Sequence, residues 1–99
     1  MTNIRYEKGR GLEYRIQVKL RAQDLFTVRS AGSHGVADIV AITPANKWPP
    51  VDIKFISCKT PEYISPNERL RLLTTAQKYG ATPYLTVKET GKWVLKVLE

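Results

Sequence analysis

Two apolar stretches joined by a proline-rich loop constrain the fold of this chain more than any other feature. The first stretch, residues 36–42, is apolar except for Asp38, and the second, residues 52–59, ends in Lys59. Short apolar runs of this kind predict strands, and we expect the first strand to be buried on both faces. Because a carboxylate is costly to desolvate, Asp38 is the strongest candidate for a functional residue.

The loop prolines decide how these two strands face each other. If Asp38 faced Asp52, the prolines at 49–50 would fall inside the paired region, where proline supplies no N–H to the ladder. If Asp38 faces Ser57, both prolines stay in the loop. We therefore predict the second register. It places Asp38 beside Ser57 and Lys59, which share a face because they are two positions apart.

A helix is predicted over residues 10–24, after a polar lead-in at residues 1–9. Apolar residues recur there at helical spacing: Leu12, Ile16 and Leu20. Glu13 lies at the edge of this stripe and has two interpretations. It is either part of a site or an edge glutamate that turns to water or pairs with Arg10 or Gln17.

The same helix has a second apolar strip that needs a partner of its own, such as another subunit. Its members are Tyr14, Val18, Ala22 and Leu25.

The remaining elements complete one α/β domain over residues 1–99. Strands are predicted at 25–29, 83–88 and 93–98. A second helix is predicted to start at the Ser65 cap, with Pro66 in its first turn and Glu68 closing a capping box, and to end at Gly80. The predicted order is αβββαββ, with a central mixed β-sheet flanked by helices.

The charge balance points to a polyanionic partner. Sixteen Lys and Arg against nine Asp and Glu give a net charge of +7, which favours nucleic acid but also suits a merely soluble basic protein. No apolar run approaches the roughly 18 residues of a membrane span, and the N-terminus has no secretory signal pattern. The single cysteine excludes an internal disulfide. We expect a cytoplasmic, DNA-associated protein.

A loop over residues 30–35 precedes the Asp38 strand and contains two glycines, which allow close approach of a ligand to the backbone. His34, the only histidine, either contacts phosphate or assists proton transfer, or is simply exposed. Two carboxylates and a lysine beside such a loop suit metal-assisted phosphodiester cleavage, because Mg²⁺ is bound by oxygen through one or two carboxylates.

Four segments together carry a resemblance to a known family: residues 8–15 with Glu13, residues 28–35, residues 37–41 with Asp38, and residues 58–60 with Lys59. In this order and spacing the chain resembles the archaeal Holliday junction resolvases of the PD-(D/E)xK nuclease superfamily. The resemblance implies a restriction-endonuclease-like fold. It also implies a homodimer, from an archaeon or an archaeal virus. This dimer would cut four-way DNA junctions with Mg²⁺, or with Mn²⁺ as an alternative ion. No membrane partner and no small-molecule cofactor are expected.

By position in these motifs, the resemblance also implies roles for individual residues. The implied catalytic residues are Glu13, Asp38, Ser57, Lys59 and Ser33. The implied metal ligands are Glu13, Asp38 and the backbone carbonyl of Cys58. The implied DNA contacts are Lys8, Arg10, Arg15, Arg29, Ser30, Ser33 and His34.

One position departs from the family pattern. The acid expected two residues before the lysine is replaced by Ser57, whose hydroxyl is a poor Mg²⁺ ligand but can hold a metal-bound water. Three outcomes stay open: the two remaining acids suffice, the site is weakened, or the protein binds junctions without cutting them. A nuclease of the same superfamily acting on other branched or single-stranded DNA is a further alternative.

Overall fold

The computed structural model describes residues 4–30, 36–45, 52–59 and 63–98, and within residues 4–10 it describes the backbone alone. The elements are α1 (Ile4–Ala22), β1 (Phe26–Arg29), β2 (Ile39–Ile42), β3 (Ile53–Ser57), α2 (Pro66–Tyr79), β4 (Thr82–Glu89) and β5 (Lys92–Val97). The order αβββαββ is confirmed, and the strand boundaries differ from the predicted ones by a few residues.

The strands form one five-stranded sheet in the order β1-β2-β3-β4-β5. Neighbouring strands are antiparallel except β3 and β4, which are parallel. A parallel pair needs a crossover connection, and α2 lies in that connection. The sheet is therefore mixed, as predicted.

The register of β2 and β3 is the one predicted from the loop prolines. Ile42 pairs with Ile53 and Ile39 pairs with Ile56, and the same register continued by one residue sets Asp38 opposite Ser57. The N–H of Asp38 donates to the carbonyl of Ile56 at 2.8 Å. Asp38 itself precedes β2, so the side chain stands at the end of the ladder and not inside it.

The two helices lie against opposite faces of the sheet, and each face has its own core. The α1 core is built from Leu12, Ile16, Leu20, Leu25, Ile39, Ala41 and Ile56. The α2 core is built from Ala37, Leu72, Leu85 and Leu98, with Phe55 packed against it. Alternation along β3 explains the division, because Ile56 faces α1 whereas Phe55 faces α2.

The prediction that the Asp38 strand is buried on both faces is wrong. Ile39 and Ala41 are fully buried under α1, whereas Ile42 on the other face is 37% exposed. Pairing with β1 extends this open face, since Phe26 lies opposite Ile42 and Val28 lies opposite Val40. We call Phe26, Val28, Val40 and Ile42 the open apolar face.

Helix α1 begins earlier than predicted and includes most of the expected lead-in. It has 19 residues from Ile4, so Gly9 and Gly11 do not interrupt it. A glycine costs a helix only about 1 kcal/mol, which the packing of the Leu12–Leu20 stripe outweighs. Among the described residues no helix is long and apolar enough to cross a membrane.

Helix α2 has the ends that the sequence predicts. The hydroxyl of Ser65 accepts from the N–H of Glu68, Pro66 is the first helical residue, and Gly80 closes the helix in the left-handed conformation at φ 68°. This start places Glu68 in the first turn of α2, next to the end of β3.

Candidate active site

Asp38 is held by three hydrogen bonds to two segments of the chain, the end of β1 and the end of β3. Its N–H donates to Ile56 on β3, and its carbonyl accepts from the N–H of Ser30, which follows β1, at 2.9 Å. Its carboxylate Oδ2 accepts from the N–H of Cys58 at 2.7 Å. The side chain is therefore fixed against the end of β3, as the predicted register requires.

The surroundings of Asp38 disfavour its negative charge. Burial raises the pKa of its carboxyl above the ordinary value, the hydrogen bond from Cys58 lowers it, and the nearby carboxylate of Glu13 raises it further. The ammonium of Lys59 acts in the opposite direction, but the net shift is upward. Additional positive charge at this point would stabilise the ionised carboxylate.

Glu13 projects from α1 towards β1, where the guanidinium Nε of Arg29 donates to its Oε2. Glu13 is therefore paired, but with Arg29 and not with Gln17, and the side chain of Arg10 lies outside the described residues. Gln17 is occupied elsewhere, since its amide oxygen accepts from Arg21 at 3.1 Å and from the Thr27 hydroxyl at 3.4 Å. Glu13 remains close enough to Asp38 to raise its pKa.

Lys59 is fixed at its backbone and at its ammonium group. Its N–H donates to the hydroxyl of Thr86 on β4 at 3.2 Å, and Thr86 is fully buried. Its Nζ lies 2.6 Å from Oε2 of Glu68. The sequence indicated no site role for Glu68, because its only signal there was the capping box.

Ser57 and Cys58 connect the register of β3 to the lysine. Ser57 is only 4% exposed. Burial raises the pKa of the Cys58 thiol, and the carboxylates of Asp38 and Glu13 raise it further, so the thiol stays neutral and is a poor nucleophile. The backbone group of Cys58 that contacts Asp38 is the N–H.

The predicted DNA contacts fall in different surroundings. Arg29 is engaged with Glu13 and its side chain is 33% exposed. Arg15 is exposed and lines a groove of about 330 Å³ between α1 and β5, together with Lys19, Lys92 and Trp93. Ser33 and His34 lie outside the described residues, as do the side chains of Lys8 and Arg10.

Asp52, just before β3, and Lys54 on β3 form a separate ion pair, away from the Lys59 side. Lys54 Nζ donates to Asp52 Oδ2 at 2.6 Å and to the Tyr84 hydroxyl at 3.2 Å. Lys54 faces the α1 side of the sheet with Ile56, whereas Lys59 meets α2. Asp52 and Lys54 therefore point away from the candidate site.

Across the described ranges, no group of three or more His, Cys, Asp or Glu side chains is arranged to hold a metal ion. The carboxylate of Glu13 raises the pKa of Asp38 more than that of Glu68 does, so Asp38 and Glu13 form the more strongly interacting pair of carboxylates. Because Mg²⁺ usually keeps several waters and needs only one or two carboxylates, this pair fits such an ion.

Comparison with known proteins identifies the family. The sequence model of the archaeal Holliday junction resolvase (Hjc) family matches residues 4–99. The chain belongs to this family. It is 28% identical over 92 residues to the crossover junction endodeoxyribonuclease Hjc of Methanocaldococcus jannaschii, a match that covers 89% of this chain and 64% of that protein. The chain therefore spans just under two thirds of the length of that relative.

The fold is also that of a solved family member. The 1.6 Å structure of Archaeoglobus fulgidus Hjc, a Holliday junction resolvase from an archaeal hyperthermophile, superposes with a TM-score of 0.70. The match covers 91% of this chain and 77% of that chain at 23% identity. The restriction-endonuclease-like fold is thereby confirmed.

The ionised carboxylate of Asp38 should lower the free energy of unfolding at neutral pH. Since its pKa is raised in the folded chain, the ionised form is less stable there than in the unfolded chain at neutral pH. Asp38→Asn removes this charge and keeps an oxygen for the Cys58 N–H. We expect its urea midpoint at pH 7 to exceed that of the unchanged protein.

The matched control is Asp52→Asn, which removes an aspartate whose charge is paired with Lys54. Its free energy of unfolding should fall by about 1–3 kcal/mol. An Asp38→Asn midpoint that falls as far as that of Asp52→Asn would contradict the electrostatic description of the site.

Proposed function

We propose that this chain is an intracellular, structure-selective, metal-dependent endonuclease that resolves four-way (Holliday) DNA junctions by paired phosphodiester hydrolysis. One observation carries the proposal: in a member of this family, Asp38, Glu13 and Lys59 converge from three elements on the end of the β2–β3 ladder. The net charge of +7 suits a polyanionic substrate.

Mg²⁺, or Mn²⁺ in its place, would be held by the carboxylates of Asp38 and Glu13 and by the backbone carbonyl of Cys58. The raised pKa of Asp38, which burial and Glu13 produce, supports this assignment because a divalent cation would relieve the unfavourable charge. A bound ion of this type lowers the pKa of water and neutralises charge on the phosphate.

The protein groups then act on a phosphate at this point of the sheet. The ammonium of Lys59 orients the attacking water and offsets negative charge that develops on the phosphate. Arg29 orients Glu13 through their ion pair. Ser57 lies opposite Asp38 in the register and is almost fully buried, so it supports the strand end and is not the main ligand.

The proposed DNA contacts are the residues that the family motifs imply. Arg15 is the one whose exposed side chain the structure describes, and it shares a basic groove with Lys19 and Lys92. The others are Lys8, Arg10, Arg29, Ser30, Ser33 and His34. Such contacts bind phosphates without regard to sequence, which suits recognition of a branched structure.

We infer that the active form is a homodimer, since paired cutting needs two sites and one chain supplies one. The open apolar face supports this inference: Phe26 is 67% exposed, Val28 is 49% exposed and Ile42 is 37% exposed. Exposed contiguous apolar surface marks interaction sites. The second apolar strip of α1 is the other candidate for the dimer interface. It offers less open surface, because Leu25 of that strip is buried while Tyr14 and Val18 are exposed.

Phe26→Glu should convert the dimer into a monomer, because it buries a charge in the interface. Multi-angle light scattering after gel filtration measures this, with circular dichroism to show that the exposed substitution leaves the fold intact. Val18→Glu on α1 is the matched control and should stay dimeric. The opposite pattern, a monomer for Val18→Glu alone, would move the interface to α1.

One observation favours a second function, a non-catalytic junction-binding protein. Ser57 stands where the family pattern has an acid, and both Glu13 and Lys59 are already ion-paired. Such a protein would bind four-way junctions in a salt-sensitive manner and yield no product with any divalent ion. Preferential cutting of other branched or single-stranded DNA would instead indicate the same chemistry on a different substrate.

Cleavage of a labelled four-way junction tests the proposal. With Mg²⁺ the unchanged chain should cut two strands, and Lys59→Ala and Asp38→Asn should each lower the single-turnover rate by about 100-fold or more. Lys78→Ala removes a lysine at the far end of α2, roughly 15 Å along the helix from Glu68, and should cut normally. Unimpaired cutting by Lys59→Ala would exclude the proposed site.

A further inference from the structure

Glu68 uses its two carboxylate oxygens for two different partners. Oε1 accepts from the Ser65 hydroxyl at 3.2 Å within the capping box, and Oε2 lies 2.6 Å from Nζ of Lys59. The pKa of its carboxyl is lowered, first by the hydrogen bond from Lys59. One oxygen of Glu68 thus closes the capping box, while the other is paired with the lysine of the candidate site.

We propose that Glu68 is a positioning residue for Lys59: its carboxylate, carried by α2, holds the ammonium at the end of the β2–β3 ladder for cleavage. The proposal rests on the proposed function for the role of Lys59. It goes beyond the four segments that carry the family resemblance, because Glu68 lies outside them.

The geometry of Lys59 explains why such a residue is needed. A lysine side chain has four flexible bonds, and the hydrogen bond from its backbone N–H to Thr86 fixes only the start of that chain. Glu68 fixes the other end. Because the Glu68 side chain is 54% exposed, the ion pair contributes little to the free energy of unfolding. Its main effect is to fix the position of the Lys59 ammonium.

Position 57 explains why the carboxylate comes from α2. A serine stands there, and its side chain is almost fully buried, so β3 supplies no carboxylate next to the lysine. Glu68 is close enough to Asp38 for its charge to raise the pKa of that residue. It therefore belongs to the same electrostatic group as Asp38, Glu13 and Lys59.

Two substitutions of Glu68 separate charge from helix capping. Glu68→Gln keeps a capping-box side chain but loses the charge that holds Lys59, whereas Glu68→Asp keeps the charge. We expect Glu68→Gln to cut a saturating complex about 10- to 100-fold more slowly, with junction affinity unchanged or tighter because a negative charge is removed. Glu68→Asp should recover part of the rate.

Ser65→Ala is the matched control for a purely structural role. It removes the hydroxyl that caps α2 and leaves the Glu68 charge in place. It should lower the melting temperature but keep the cutting rate. If Ser65→Ala slows cutting as much as Glu68→Gln does, Glu68 acts through helix stability and the proposal is overturned.

A second measurement does not depend on cleavage. The ¹⁵N-edited spectrum of the lysine ammonium groups, with Lys59 assigned through Lys59→Arg, reports the ion pair directly. We expect a slowly exchanging Lys59 signal in the unchanged chain and in Ser65→Ala, and its loss in Glu68→Gln. A Lys59 signal that Glu68→Gln leaves unaltered would overturn the proposal.

Failure of the proposed function would look different from failure of this inference. An unchanged chain that cuts no DNA but shows the protected ammonium contradicts the nuclease function, while the pairing of Glu68 with Lys59 stands. A chain that cuts junctions equally well with Glu68→Gln contradicts the inference alone.

Discussion

The hydrogen bond from the Cys58 N–H to the Asp38 carboxylate is the interaction on which the site depends. It joins the residue before β2 to the residue after β3 at 2.7 Å, and it exists only in the register that pairs Ile39 with Ile56. A shift of one residue would turn every side chain of β2 to the opposite face. The packing of Ile39 and Ala41 under α1 therefore also determines where Asp38 lies.

Ion pairs between different elements complete the site. Glu13 of α1 pairs with Arg29 of β1, and Lys59 after β3 pairs with Glu68 of α2. Glu13 and Lys59 thus each have an opposite charge supplied by a separate part of the fold, which limits the cost of gathering charges at a partly buried point. The result is a set of carboxylates and cations held at the end of the ladder, which the proposed nuclease function would use to stabilise charge on a phosphate.

Sequence patterns predicted the parts of this arrangement that depend on local rules. The prolines at 49–50 decided the β2–β3 register, because proline cannot donate in a ladder, and Ser65 to Glu68 and Gly80 decided the ends of α2. No local rule predicts the contact of Glu68 with Lys59, because it depends on how the crossover helix α2 packs beside the end of β3. Glu13 was recognised as unusual, but its partner Arg29 is 16 residues away on another element.

Other features could not be predicted because they depend on what covers a surface. The apolar run at residues 36–42 suits a strand buried on both faces and equally a strand whose second face awaits another chain. Within the described residues, the open apolar face with Ile42 at its edge excludes the first case. The early start of α1 was missed because two glycines looked like a flexible lead-in, whereas helix packing tolerates their cost.

The most direct test of this account is to locate the residues at which a divalent ion binds. Titration of the ¹⁵N-labelled chain with Mn²⁺, followed through paramagnetic broadening of its amide signals, should first broaden those of Asp38, Cys58 and Glu13, and excess Mg²⁺ should reverse the effect. Asp38→Asn should abolish this local broadening. Broadening centred elsewhere, or identical in Asp38→Asn, would contradict the convergence of these residues on a metal ion.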